Sequence, residues 1–180
     1  MTTPVNEVVT SFETTGRRLT AFENSVPTAA AAVVQADLTN PKGVAVARGF
    51  GIWVVNSVPG AGSLFGGSVT SVTDNLSSTD FNDPQFLAFD GANNAWVSNL
   101  SNGAITSWDR AFATPAVFTN FTGGGTISAA EGIAVDLSGN VWVANSGNNT
   151  VSELVGLGTP VVTPLQAALI APYSAPAIQP

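Results

Sequence analysis

Short apolar runs alternate with turn-forming residues along most of the chain. In the stretch 130–145, the runs Ile133–Val135 and Val141–Val143 flank the polar segment Asp136–Asn140. An Asp side chain can accept backbone N–H groups of its own turn, and Gly139 can adopt a positive φ, so this segment is a predicted turn. Continuous apolar runs of this length are typical of strands buried on both faces. The pattern therefore predicts a β-hairpin.

The same hairpin pattern occurs three times, each time around a tryptophan. The tryptophans are Trp53, Trp96 and Trp142, so the period is 43 and then 46 residues, and an Asn follows each Trp by three. Third strands are expected at 68–72, 104–108 and 150–154, and fourth strands at 116–120 and 161–165. Four short antiparallel strands in about 40 to 45 residues are typical of a β-propeller blade.

The first residues fit the same scheme. Val9–Phe12 matches the third strands of two repeat units, and Leu19–Phe22 follows after a turn at Gly16. Residues 5–23 therefore read as the outer half of a blade whose inner half is absent. An amphipathic helix over Glu7–Phe22 is the alternative, but its Thr, Ser and Gly residues make it a poor helix.

These elements predict an all-β chain, a β-propeller with about three and a half blades of four antiparallel strands. The expected parts are an outer half-blade over 1–23, a linker loop over 24–40, blades over 41–83, 84–129 and 130–167, and a Pro-rich tail over 168–180. An ordinary β-sandwich would use the same short strands, but it gives no reason for a regular repeat period.

The third repeat unit resembles a known family. Glu131–Asn145 reads EGIAVDLSGNVWVAN and is similar to the NHL repeat of bacterial propellers such as the streptogramin lyases. The other units match less closely, since Ala47 replaces the Asp of the third unit and Phe86 replaces its Gly132. The resemblance implies a six-bladed ring, of which this chain is a part. It also favours an extracellular or periplasmic location, although the chain opens with no recognisable signal peptide.

Composition excludes several kinds of chemistry. The chain of 180 residues has no His and no Cys, which excludes imidazole bases, thiol nucleophiles and His or Cys metal ligands. Its net charge of −7, from 12 acidic and 5 basic residues, argues against binding to nucleic acid or to an anionic membrane surface. The early apolar run Ala29–Val34 is far shorter than the roughly 20 residues of a spanning helix.

The resemblance also raises the question of enzymatic activity. It implies that the lyases of this kind use a histidine base and a magnesium ion held partly by carboxylate, and this chain has no His. We therefore expect a non-enzymatic module, without cofactor or metal, that acts by binding or by assembly. The alternatives are a metal-dependent lyase or hydrolase with its site at the central channel, and a structural subunit of an extracellular assembly.

An incomplete ring is the main argument for a partner. A propeller needs typically four to eight blades to close, and an open arc exposes apolar blade faces and a strand edge. We expect a homo-oligomer, in the first place a dimer that completes one ring. The other possibilities are an extended assembly, a monomer that caps itself, and a longer protein of which this chain is one piece.

The predicted topology brings two sets of residues to one face of the propeller. At the starts of the first strands are Lys42, Gln85 and Glu131, and after the second strands are Asn56, Asn99 and Asn145. A longer loop over 57–67 adds Leu64 and Phe65. These eight residues are the candidate surface for a ligand or partner. Each Asn could instead cap its own loop, and Leu64 and Phe65 could tuck under theirs.

The remaining candidates have structural explanations. Asp136–Asn140 lacks the alternating oxygen ligands of a calcium loop, and the glycines at 123–125 are not followed by the Lys of a phosphate-binding loop. The three repeated tryptophans are expected to pack between blades. Trp108 replaces an aliphatic residue of the other units, so it is the candidate for an exposed aromatic side chain.

Overall fold

Fourteen strands in four antiparallel sheets make up most of the described part of the chain. The computed structural model describes residues 7–13, 18–23, 29–34, 40–48, 51–58, 61–68, 71–109 and 117–161. Within these ranges, helical structure is limited to a 3₁₀ turn at Gly123–Gly125, and no helix has the length and hydropathy needed to cross a membrane.

Each sheet is a meander in which the strands follow one another in chain order. Sheet A contains β1 (Glu7–Glu13), β2 (Arg18–Glu23) and β3 (Ala29–Val34). Sheet B contains β4 (Pro41–Ala47), β5 (Gly51–Val58), β6 (Ala61–Ser68) and β7 (Ser71–Ser78). Sheet C contains β8 (Pro84–Phe89), β9 (Ala95–Asn99), β10 (Ala104–Trp108) and β11 (Phe118–Phe121). Sheet D contains β12 (Ala130–Val135), β13 (Val141–Asn145) and β14 (Thr150–Leu154).

The sheets pack against one another in chain order. The first strand of sheet C, β8, contacts both β4 and β12, which are the first strands of sheets B and D, and β1 contacts β4. Successive antiparallel meanders that pack face to face through their first strands are the blades of a β-propeller. The chain is therefore an all-β partial propeller, as the repeat predicts.

Apolar side chains fill the two junctions between sheets B, C and D. Between B and C, the ring of Trp53 lies 5.0 Å from that of Trp108 and 6.2 Å from that of Phe89. Between C and D, Trp96 packs in a cluster with Val141 and Val143. The predicted role of the repeated tryptophans between blades is thus confirmed for Trp53 and Trp96.

Two expectations for the first half of the chain are wrong. The segment 24–40, expected as a linker, contains β3, whose Ala and Val residues pair with β2 from Arg18–Val34 to Phe22–Ala29. The inner position beside β4, expected to be empty, is occupied by β1. An apolar run too short for a helix has the right length for a strand, so Ala29–Val34 joins the sheet.

The expected loop over 57–67 is also wrong, because it contains β6. Its glycines suggested a loop, yet β6 pairs with β5 from Ile52–Gly67 to Val58–Ala61, and β7 pairs on its other side. The third strand of this unit is therefore β6, not 68–72. The expected third strands 104–108 and 150–154 are confirmed, and the fourth strand predicted at 116–120 lies at 118–121.

The exposure predicted for Trp108 is wrong. Trp108 lies opposite Ala95 on β9 and is buried against Trp53 of sheet B. A small residue opposite a large ring leaves space for that ring within the junction, so the side chain packs there. The fourth strand expected at 161–165 lies, beyond Val161, outside the described residues, as does the Pro-rich tail.

Candidate functional site

The three asparagines that follow the tryptophans are buried, and each is hydrogen-bonded within or next to its own repeat unit. The Oδ1 atoms of Asn56, Asn99 and Asn145 each accept a hydrogen bond from the segment that leads into the first strand. The donors, at 2.8, 3.0 and 3.2 Å, are the backbone N–H groups of Asn40, Asn82 and Ser128, in that order. These bonds are those of a loop cap, the structural alternative considered for these residues.

Lys42, Gln85 and Glu131 each occupy the second position of a first strand. Lys42 and Glu131 are exposed, whereas Gln85 is half-buried. The Gln85 side-chain amide donates to the carboxylate and to the backbone carbonyl of Asp83, both at 3.0 Å, and Ser57 donates to the same carboxylate. Among the described residues, no hydrogen bond links Lys42, Gln85 and Glu131 to one another.

Leu64 and Phe65 lie in the middle of β6. They pair with Val55 and Val54 of the neighbouring strand. Their side chains lie outside the described part of the structure. The partner contact predicted for them depends on those side chains and stays a prediction. The backbone shows that they belong to the sheet and not to a loop.

A carboxylate is embedded in the first hairpin turn of both sheets C and D. Oδ1 of Asp136 accepts the N–H groups of Ser138 and Asn140 at 2.8 and 2.9 Å. Its Oδ2 accepts the Asn140 amide at 3.0 Å and the Trp142 indole N–H at 3.1 Å. Asp90 is bonded in the same way in sheet C. This is the turn chemistry that the sequence predicts for Asp136.

These hydrogen bonds set the electrostatics of the sheet D turn. The backbone N–H of Asn140, followed by the Trp142 indole, lowers the pKa of Asp136 below its ordinary value, although desolvation acts in the opposite direction. The chain has no Lys or Arg beyond Arg110, so sheet D is acidic. Among the described residues, no three His, Cys, Asp or Glu side chains form a group that could hold a metal ion.

Sheet D has one apolar face that no described element covers. Residues along β13 are alternately buried and exposed, whereas every residue of β9 is buried. Paired residues of neighbouring strands share a face, which places Trp142 with Ala134 and Ala144 with Val151. All four are exposed, and we call them the open face. A groove of about 320 Å³ runs along it.

The equivalent face of sheet C is covered by sheet D. Trp96 is 4% exposed where its equivalent Trp142 is 38% exposed, and Ile105 is 0% exposed where Val151 is 67% exposed. Ser98, equivalent to Ala144, donates a 2.6 Å hydrogen bond to the backbone carbonyl of Glu131 in sheet D. The open face is therefore a blade face prepared for contact but without a described neighbour.

Sequence reasoning missed the open face, because it assigned Trp142 to a junction between blades like the other two tryptophans. Trp142 has the same sequence context as Trp53 and Trp96, so its local pattern holds no signal of exposure.

Solved structures similar to this chain are propellers. A selenomethionine-substituted virginiamycin B lyase from Staphylococcus aureus matches with a TM-score of 0.65 and 13% identity, over 84% of this chain and 52% of that chain. A catalytically inactive histidine-to-alanine variant of that lyase with quinupristin matches with a TM-score of 0.54 and 15% identity, over 81% of this chain and 48% of that chain.

The likeness to these lyases shows the class of fold, a β-propeller, and this chain spans about half the length of the solved structures it matches. No protein-family model matches the sequence, and no curated protein is similar to it at a significant level. The NHL assignment of the repeat therefore stays a prediction.

Proposed function

We propose that this chain is a non-enzymatic, NHL-type propeller module that binds a second copy of itself through the open face, so that two copies complete one ring. The observation that carries the proposal is the exposure of Trp142, 38% against 4% for Trp96 and 0% for Trp53. A contiguous apolar patch around an exposed tryptophan favours association, because covering it removes apolar surface from water.

The length of the chain supports a second copy as the partner. The chain spans about half of the propellers it resembles, so two copies contain about as many residues as one such ring. A two-fold axis along the channel would set sheet D of each copy against sheet A of the other, giving two identical contacts. Assembly into longer arcs, as a structural subunit would form, is the alternative outcome.

The lyase alternative has weaker support. The similar lyase structure in which a histidine is replaced is described as catalytically inactive, and this chain has no His. Within the described ranges, the buried Asp90 carboxylate is engaged by its own turn. We therefore place the functional surface on the open face and not at the channel.

Light scattering after size exclusion, over a hundredfold range of concentration, tests the proposal. We expect a mass of twice 18.2 kDa that dissociates on dilution. A monomer at every concentration would overturn self-association. A mass that keeps increasing with concentration would replace the two-copy ring with an extended assembly.

Substitutions on the open face locate the contact. We expect Trp142→Lys and Val151→Lys each to shift the protein to monomer, because a charge on a covered apolar face is costly to desolvate. Val117→Lys is the matched control, since Val117 is an exposed apolar residue beside β11, away from sheet D's open face. Circular dichroism checks that the variants are folded. Dimers that survive both open-face variants would contradict this surface.

A further inference from the structure

The second residues of the first hairpin turns in sheets B, C and D occupy equivalent positions in the repeat. The turns begin at Ala47, Asp90 and Asp136, which occupy the same place in the repeat. The residues that follow are Arg48, Gly91 and Leu137. The backbone N–H of this second residue is what the two known junctions have in common.

In both junctions, this N–H group donates to a residue outside its own sheet, either in the next hairpin turn or in the segment after sheet D. The Arg48 N–H donates to Oδ1 of Asn93, in the hairpin turn of sheet C, at 2.9 Å. The Gly91 N–H donates to the carbonyl of Thr159, in the segment after β14, at 2.8 Å. The acceptors differ, a side-chain amide and a backbone carbonyl, but the donor position is the same.

Leu137 holds the donor position in sheet D. The Gly139 N–H donates to the carbonyl of Asp136 at 3.1 Å and closes the turn, while the carbonyl of Leu137 accepts the N–H of Val161 at 3.1 Å. None of the hydrogen bonds recorded for the described residues uses the N–H of Leu137. Leu137 is exposed, in the turn next to the open face.

The side chain at this position decides whether the backbone N–H can meet a backbone carbonyl or only a side-chain oxygen. A Cβ at Gly91 would lie 2.0 Å from the carbonyl oxygen of Pro160, so a backbone segment passes over Gly91 only because the side chain is missing. Leu137 has that Cβ. Arg48 has one too, and there the acceptor is the side-chain oxygen of Asn93.

We infer that Leu137 is a docking contact of the open face. When a second copy covers sheet D, the Leu137 N–H donates to a side-chain oxygen of the covering sheet, in the register seen between sheets B and C. This inference rests on the proposed self-association and adds the register of the contact and the chemistry of the group that meets it.

Replacing Leu137 with Pro removes the donor. Leu137 is the second residue of a β-turn, where Pro is favoured, and Pro keeps the carbonyl that Val161 uses. Leu137→Ala is the matched control, since it removes the same side chain but keeps the N–H. Sedimentation equilibrium measures the dimer dissociation constant, and we expect Leu137→Pro to raise it roughly tenfold or more above that of Leu137→Ala.

The outcomes separate this inference from the proposed function. Equal dissociation constants for the two variants, with a wild type that dimerises, would overturn the Leu137 contact and leave self-association intact. A wild type that never dimerises would overturn both. If Leu137→Pro misfolds, amide hydrogen exchange of the wild type decides: we expect slower exchange at Leu137 in concentrated samples than in dilute ones, and unchanged exchange would overturn the contact.

Discussion

Sheets C and D are built from the same hairpin and differ in what covers it. In both, an Asp carboxylate accepts hydrogen bonds from backbone N–H groups of its turn and from the indole N–H of the tryptophan on the next strand. Yet Trp96 is 4% exposed and Trp142 is 38% exposed. The comparison teaches that the repeat sequence determines the internal structure of a blade, whereas the burial of its tryptophan depends on the next blade.

The two Asp carboxylates also have the same bonds within their turns and differ in their contacts outside them. Oδ2 of Asp90 also accepts the backbone N–H of Thr159 at 2.9 Å, from the segment that follows sheet D. Asp136 has only its turn bonds among the described residues. The turn of sheet C is thus part of a junction between blades, while that of sheet D stands beside the open face.

The largest expected effect is that of truncating the covered tryptophan. Trp96→Ala should lower the free energy of unfolding by about 3–5 kcal/mol, because it leaves a cavity in the junction between sheets C and D. Trp142→Ala, measured at a concentration where the protein is monomeric, should cost less than half as much, since part of that side chain is already in water. Urea unfolding followed by circular dichroism measures both.

Trp53→Ala serves as the control for this comparison. Trp53 is buried in the junction between sheets B and C, so its loss should resemble that of Trp96. Equal losses for Trp96 and Trp142 in the monomer would contradict the idea that the neighbouring blade, and not the hairpin itself, provides the packing.

A smaller difference in unfolding free energy is expected between variants that remove one or the other of the two carboxylates. Asp90→Ala and Asp136→Ala each remove the bonds of one turn, but Asp90→Ala also leaves the Thr159 N–H without its acceptor. We expect the loss of unfolding free energy for Asp90→Ala to exceed that for Asp136→Ala by about 1.5–3 kcal/mol, the range for a hydrogen bond to a charged group. Thermal unfolding of the two variants under one condition measures the difference, and identical losses would argue against a junction role for Asp90.

Local sequence was sufficient for the repeated hairpins. The fixed spacing of Trp and Asn, together with an Asp that bonds its own turn, predicts five strands of sheets C and D within three residues of their observed bounds. These features act within a single hairpin, so no knowledge of the rest of the fold was needed to predict them.

Pairing between strands explains what sequence reasoning missed. The Gly-rich stretch that contains Leu64 and Phe65 has weak strand propensity but is paired on both sides by β5 and β7. Trp108 was expected to be exposed and is buried, because Trp53 comes from another sheet. The exposure of the open face likewise depends on whether another blade covers it, which the local pattern around Trp142 does not contain.

The smallest expected effect concerns pH and the exposed turn of sheet D. Hydrogen bonds from Asn140 and Trp142 lower the pKa of Asp136 in the folded protein, whereas the unfolded chain keeps the ordinary value near 4. The stabilisation by the ionised carboxylate is therefore fully present above about pH 4 and is lost as the pH falls through the lowered pKa of the folded state.

The test compares the wild type with Asp136→Asn at a series of pH values, because the effects of the other carboxylates cancel in the difference. The difference in unfolding free energy should be constant from neutral pH to about pH 4 and should shrink below it. Asn has no charge to lose, so the variant supplies the reference at each pH. A difference in unfolding free energy that stays constant well below pH 4 would show that the turn of sheet D does not prefer the ionised carboxylate. The turns of sheets C and D would then be equivalent in shape alone.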